Sequence, residues 1–313
     1  MPKVSVIIPA YNASQYLADA IRSVLSQSFR DFEIIVVDDG SSDNTEQVAA
    51  EFFPDVKYYR QSNAGPAIAR NTGIRKAKGE WIAFLDSDDW WDETHLEQLL
   101  LRCGQVPEAD MIYGSRCSVD AWGRVLEEPS EQSAYPEGWI FRDLLAGNYI
   151  STPSVMVKRT VLEILNGFGE DPVFRNCEDY DLWLRISAQF RIASIPGLVF
   201  YRRLHDKNAT ANSVGRIVGR VKAIENAASL IRADRVRPEN RPELVNVHEL
   251  MVGQYEEAAK SLFYFSEYSA LRAIAQKAMR GKQASMKVIL LYGLALLPAT
   301  LIEEARRIRR LAS

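Results

Sequence analysis

The sequence is short of the features that most readily disclose a function. Its three cysteines, Cys103, Cys117 and Cys177, are odd in number and far apart. That spacing fits neither a CxxC metal pattern nor a secreted disulfide framework. They read as small buried side chains in a reducing compartment. Only five strand-like residues, Val4 to Ile8, precede Pro9, short of the roughly 7–15 that form a signal-peptide core. The longest uncharged apolar run, Val288 to Ile302, is 15 residues with Pro298 inside, below the roughly 17–25 of a spanning helix. The expected location is therefore cytoplasmic. Neither a Walker loop nor a GxGxxG motif occurs, which excludes a P-loop NTPase and a dinucleotide-binding domain. A net charge of -3 argues against a dedicated nucleic-acid binder.

What is present describes a globular protein. With 47% apolar and 25% charged residues, 313 residues can bury a full core. The length suits one large α/β domain plus an appendage, or two modest domains. The charge is uneven: Ala270 to Ser313 holds nine Lys/Arg and two Asp/Glu, so a tail of +7 follows a body of -10.

The first hundred residues alternate in character. Strands are predicted at 4–8, 33–37, 56–60 and 81–85, with 111–115 beyond. Helices are predicted at 14–27, around 44–52 and at 66–77, with another after Asp89. Repeated units of this kind imply a mainly parallel sheet flanked by helices. The middle third is less regular, with helices near 138–146 and 178–189 and short strands at 154–158 and 198–201. Beyond about 214 the chain reads as helical and charge-rich, with 235–242 as a connection.

In an open parallel sheet, ligands bind beyond the carboxyl ends of the strands. Asp38-Asp39 and Asp86-Ser87-Asp88-Asp89 fall at two such ends. Asp is also favoured in turns and at helix starts, yet two acidic clusters on one edge repel each other unless a cation lies between them. Carboxylate oxygens suit Mg²⁺ or Mn²⁺ carrying a diphosphate. A third cluster, Glu178-Asp179-Tyr180-Asp181, opens a helix that Leu182, Trp183 and Ile186 anchor. Acids there complement the helix dipole or serve chemistry, and spacing alone does not choose between these.

The blocks VSVIIPAYN (4–12), FEIIVVDDGSSD (32–43), NAGPAIARNTGI (63–74), GEWIAFLDSDD (79–89) and EDYDLWLR (178–185) together resemble glycosyltransferase family 2. These are inverting nucleotide-sugar glycosyltransferases of GT-A fold, and the likeness covers about residues 1–210. It implies a GT-A catalytic domain at 1–213 and a helical C-terminal region at 214–313. It further implies that Pro9, Ala10, Tyr11 and Asn12 frame the base and ribose, that Asp39 accepts from a pyrimidine imide, and that Asp38 orders that loop. Arg70 and Asn71 would lie close to the nucleotide, and Asp86 near the ribose, with Ser87 among the donor contacts. Asp88 would ligate Mn²⁺ or Mg²⁺, with His205 nearby, and Asp179 would be the general base. The implied donor is a nucleotide sugar, UDP ahead of dTDP and GDP; the implied acceptor is a glycan or lipid-linked saccharide.

Several readings stay open. Trp90 and Trp91 either wall the donor sugar or pack the next helix, and Asn148 to Ser154 is either acceptor wall or ordinary turn. The 286–313 segment is either a membrane-surface element on the cytoplasmic face or a core or subunit-packing helix, so a homo-oligomer is allowed. A sugar nucleotidyltransferase is disfavoured because PAYN stands where a basic triphosphate loop belongs. A catalytically silent nucleotide-sugar-binding scaffold is the remaining alternative.

Overall fold

The computed structural model describes residues 1–127, 135–174, 176–205, 213–240, 246–298 and 302. The N-terminal part alternates β1 (Val4–Ala10), α1 (Leu17–Leu25), β2 (Phe32–Asp38), α2 (Thr45–Ala50), β3 (Val56–Arg60), α3 (Pro66–Lys76) and β4 (Trp81–Phe84). There follow β5 (Trp90–Trp91), α4 (His95–Gln105), β6 (Met111–Val119), β7 (Val125–Glu127) and α5 (Phe141–Ala146). Then come β8 (Val155–Lys158), α6 (Arg159–Ile164), α7 (Glu178–Gln189) and β9 (Ile192–Arg203). Four helices complete the described chain: α8 (Ser213–Arg232), α9 (Val247–Tyr264), α10 (Tyr268–Arg280) and α11 (Met286–Ala295).

The described strands form one nine-stranded sheet in the order β3-β2-β1-β4-β8-β6-β9-β5, with β7 beside β6. From β3 to β4 the strands are parallel. Strand β8 is antiparallel to both β4 and β6, and β6 is parallel to β9. Hence β1, β2, β4, β6 and β9 all end on the same edge. The chain leaves β1 towards β2 on one side and returns to β4 on the other, the topological switch point at which such sheets bind ligands.

The unbroken apolar strands follow from burial on both faces. Val4, Val6 and Ile8 of β1 pack with Leu17, Ile21 and Val24 of α1, whereas Ile7 joins Ile82 and Phe84 in the core on the opposite face. That second core also holds Trp183 and Leu184 of α7, Ile224 and Ala228 of α8, and Leu262 of α9. The C-terminal helices thus share a core with α7. Asn226 of α8 donates to Asp181 Oδ1 at 2.9 Å, and Asn240 donates to the Ser187 carbonyl.

Two elements differ from the predicted ones. Strand β9 has twelve residues, where 198–201 was expected. The strand runs through Pro196-Gly197, which the register shift between Tyr113 and Ser115 absorbs within the pairing. Trp90 and Trp91 form the short β5, antiparallel to β9. Helix α11 covers the apolar run at 288–302 as far as Ala295, Ile302 is again helical, and residues 299–301 and 303–313, with the Arg-rich end, lie outside the described residues. Among the described residues, no helix is long and apolar enough to cross a membrane.

Candidate active site

The loops after β1, β2 and β4, the segment before β8, the start of α7 and the end of β9 enclose a cavity of about 1370 Å³. One wall begins with Pro9, Ala10, Tyr11 and Asn12. Asn12 takes a left-handed backbone, φ 49°, and its Oδ1 accepts from the Ser42 amide at 2.8 Å, tying the first loop to the second. Asp43 fastens the same junction, accepting from the Ser14 and Thr45 amides. Burial pushes its carboxyl up, but the bonds from Thr45 and Ser14 outweigh this and bring it down to about 2.

The two aspartates ending β2 divide. Asp38 is fully buried and does not line the cavity; it accepts from the Ser41 amide at 2.8 Å and from the Tyr58 hydroxyl. Asp39 does line it. Its Oδ1 accepts from Gln61 Nε2 at 2.8 Å and the Ala64 amide at 2.9 Å, and its Oδ2 from the Gly65 amide at 2.7 Å. One lone pair of Oδ2 is left for a further donor. Gly40, between these loops, has φ 78°, and a Cβ there would lie 2.8 Å from the Asn63 nitrogen.

Arg70 and Asn71 also part company. Arg70 is 6% exposed and bridges two carboxylates, Asp86 Oδ1 at 2.7 Å and Glu178 Oε1 at 2.9 Å. Its guanidinium lies over the Phe168 ring, and its buried Nε has no partner among the described residues. Asn71, expected beside the nucleotide, is turned away from the cavity. It donates to the Phe168 carbonyl and Glu170 and accepts from the Phe168 amide, so it clamps the segment before α7.

Beyond β4, Asp86, Ser87, Asp88 and Asp89 all reach the cavity. Asp88 Oδ2 and His205 Nε2 are 3.0 Å apart, because β4 and β9 end on the same edge. Burial raises the Asp88 carboxyl, Asp86 adds to this and His205 opposes it. Asp89 is raised more strongly, by burial and then by Asp88 and Asp86, while the Arg203 amide donates to it at 2.9 Å. Among the described residues no three His, Cys, Asp or Glu side chains converge as a metal cage. Asp88 and His205 form a two-ligand oxygen–nitrogen set, which fits an ion that takes its other ligands from a diphosphate and water.

At the opposite wall, Asp179 stands on the first turn of α7. Its Oδ1 accepts from the Tyr180 amide at 2.6 Å and its Oδ2 from Asn148 Nδ2 at 3.2 Å. Burial raises its carboxyl to about 7, with neighbouring Glu178 adding repulsion and the Tyr180 amide, Arg70 and Asn148 opposing. Asn148 to Pro153 line the cavity here.

Sequence reasoning missed Glu178 as the partner of Arg70, and Arg203, whose guanidinium lies 4.6 Å from the ring centres of both Tyr16 and Trp90. Neither Trp90 nor Trp91 lines the cavity: Trp91 is buried with its indole donating to the Pro153 carbonyl, and Trp90 stacks on Tyr201. The cavity also takes Arg216 and Arg220 from α8 and Phe265 from beyond α9, where the family blocks carry no signal.

Residues 5–159 match the family described as Glycosyl transferase family 2. The chain belongs to glycosyltransferase family 2. An uncharacterized glycosyltransferase of Rickettsia conorii is 36% identical over 197 residues, 62% of this chain and 31% of that protein. This family 2 chain spans about a third of the length of the curated relatives it matches first. The structure of S. aureus TarS 1–349 in complex with UDP-GlcNAc has a TM-score of 0.68 at 20% identity, covering 92% of this chain and 83% of that one. The mannosyltransferase PcManGT of Pyrobaculum calidifontis, in complex with GDP-Man and Mn²⁺, has a TM-score of 0.59 at 19% identity, covering 94% and 84%. These likenesses establish the GT-A fold for the family 2 chain.

Proposed function

We propose that this chain is an inverting glycosyltransferase that moves a sugar from a nucleoside-diphosphate sugar, UDP ahead of dTDP and GDP, to an acceptor hydroxyl on a glycan or lipid-linked saccharide. The observation that carries this reading is that one cavity holds the pocket at the ends of β1 and β2, the Asp88–His205 pair and, across from them, Asp179. TarS bound to UDP-GlcNAc and PcManGT bound to GDP-Man and Mn²⁺ support a nucleotide-sugar donor and a divalent ion.

In this mechanism residues 9–12 and Asp39 hold the base and ribose, with Asp86 and Ser87 on the ribose side. Asp179 takes the proton of the acceptor hydroxyl as its oxygen bonds to the anomeric carbon. The bond from that carbon to the phosphate oxygen breaks, and its electron pair leaves with the nucleoside diphosphate. A carboxyl near 7 suits a base at neutral pH, and such assistance contributes about 10²–10⁴-fold. Asp88 and His205 would hold Mn²⁺ or Mg²⁺, which when bound neutralises charge on the departing diphosphate. With one base and a single displacement, the anomeric centre inverts and no glycosyl-enzyme forms.

Acceptor recognition draws on the C-terminal region 214–313 in this reading, with 1–213 as the catalytic domain that supplies the donor pocket and the base. On α11, Met286, Ile289, Leu290 and Leu294 are exposed, and from Tyr268 to Ile302 the chain has five Lys/Arg and no carboxylate. Both features support a peripheral position on the cytoplasmic membrane face.

Calorimetric titration with UDP, GDP and dTDP, each with and without Mn²⁺, tests the donor half. Metal-dependent binding of one nucleotide, followed by transfer from its sugars with inverted anomeric configuration, is the expected outcome. Binding of none of them would overturn the reading.

A further inference from the structure

The acceptor end of the cavity carries positive charge that the donor mechanism does not use. Arg216 and Arg220 lie at i and i+4 on α8, so they share one helix face and the same cavity as Asp179. What brings that face to the base is Gly219: a Cβ there would stand 2.8 Å from Cys177 Cβ. The α8 backbone therefore rests directly on the residue that precedes α7.

Among the described residues one carboxylate, the exposed Glu257, faces these two guanidiniums, and it faces Arg220. Arg216 is exposed and has no polar partner among the described residues. Arg220 donates to the Ala146 carbonyl at 3.2 Å and meets the exposed Glu257 with both terminal nitrogens at the long distance of 3.5 Å, while its buried Nε has no partner among the described residues. Ala146 lies two residues before Asn148, which donates to Asp179. Arg70, by contrast, is paired with two carboxylates, Asp86 and Glu178.

Resting on the proposed transfer reaction, we propose that the acceptor carries a phosphate group, seated between Arg216 and Arg220 beside the hydroxyl that Asp179 activates. Side chains at i and i+4 start about 5–6 Å apart, so their planar forks approach a ligand from two directions. One fork fills a carboxylate. A tetrahedral phosphate presents oxygens to both. The arginines also offset the repulsion that Glu178 and Asp179 would exert on an anionic acceptor.

The test is calorimetry at low salt on the full chain saturated with UDP and Mn²⁺, titrated with glucose 1-phosphate, glucose or glucuronate. Glucose 1-phosphate is expected to bind, and glucose and glucuronate at least tenfold more weakly. Arg216→Gln and Arg220→Gln are each expected to weaken the sugar phosphate about tenfold and to leave UDP affinity within twofold. Arg216→Gln removes an exposed side chain, so it reports on binding without disturbing the fold. No binding of glucose 1-phosphate, equal binding of glucuronate, or equal affinity in the double variant R216Q/R220Q would overturn the assignment. A matching loss of UDP affinity in the variants would also overturn it, by giving the arginines to the donor diphosphate. Failure of the wild type to bind UDP would instead remove the transferase reading itself, so the two failures are distinguishable.

Discussion

Asp88 Oδ2 lies 3.0 Å from His205 Nε2, although 117 residues separate them in sequence. The contact joins the end of the parallel half of the sheet to the end of its last long strand. Asp88→Ala is expected to abolish the Mn²⁺ dependence of UDP binding and to weaken binding with Mn²⁺ by about ten- to a hundredfold, or about 1.5–3 kcal/mol for a lost charged contact. His205→Ala is expected to act in the same direction. Calorimetry with and without the ion checks both, and unchanged metal dependence would remove the pair from the ion site.

Asp179→Asn keeps the size of the side chain and removes the base. Transfer should fall about 10²–10⁴-fold while UDP affinity stays within twofold. In the wild type, kcat/KM should rise with pH until about 7, where Asp179 ionises, and then level off. A profile already flat from pH 5 would contradict the assignment.

The same group bears on stability. The Asp179 carboxyl lies at about 7 in the folded chain against an ordinary 3.8, so the folded state holds the proton more tightly. Its stabilising share is complete below about pH 4 and is lost as pH rises towards 7. Asp179→Asn should accordingly melt several degrees higher than wild type at pH 8, and the gap should close at pH 4. Thermal melts at the two pH values decide it.

Arg70 and Glu178 form a buried pair, with side chains 7% and 9% exposed. Arg70→Met leaves Glu178 charged and alone, at an expected cost of about 3–5 kcal/mol. The double variant R70M/E178Q leaves no lone buried charge at that contact and should regain part of this loss in urea unfolding. Additive losses would mean that the two do not act as a pair.

Gly40→Ala should destabilise by more than about 1 kcal/mol, because the turn holds a positive φ and a Cβ would meet the Asn63 nitrogen. Urea unfolding measures the loss. UDP affinity should fall with it, since Asp39 organises the same turn.

Asp39, Asp86 and Asp88 could be placed from sequence because a buried parallel strand announces its own carboxyl end. β2 and β4 read as apolar runs that stop at acids. The cavity also receives Asp179, since a helix leading into a strand of this sense begins at that edge. What could not be read were partnerships across long separations. The bridge from Arg70 to Glu178 spans 108 residues, and Asn71 faces Phe168 although its neighbour faces the cavity. Nothing in the local pattern distinguishes them. The full length of β9 was hidden for a different reason: Pro196-Gly197 carries turn chemistry, and only the partner strand β6 shows that a bulge accommodates it. Arg216 and Arg220 look in sequence like two charges on a solvated helix.

The contact of Gly219 with Cys177 has a consequence for how chains of this kind diverge. The residue assigned as base is mounted on a helix whose support comes from α8, whereas the donor pocket is mounted on the sheet. Replacing the C-terminal helices with those of another chain would therefore do more than present a different acceptor. It would reset the spacing between base and anomeric carbon, so acceptor preference and turnover would be inherited together.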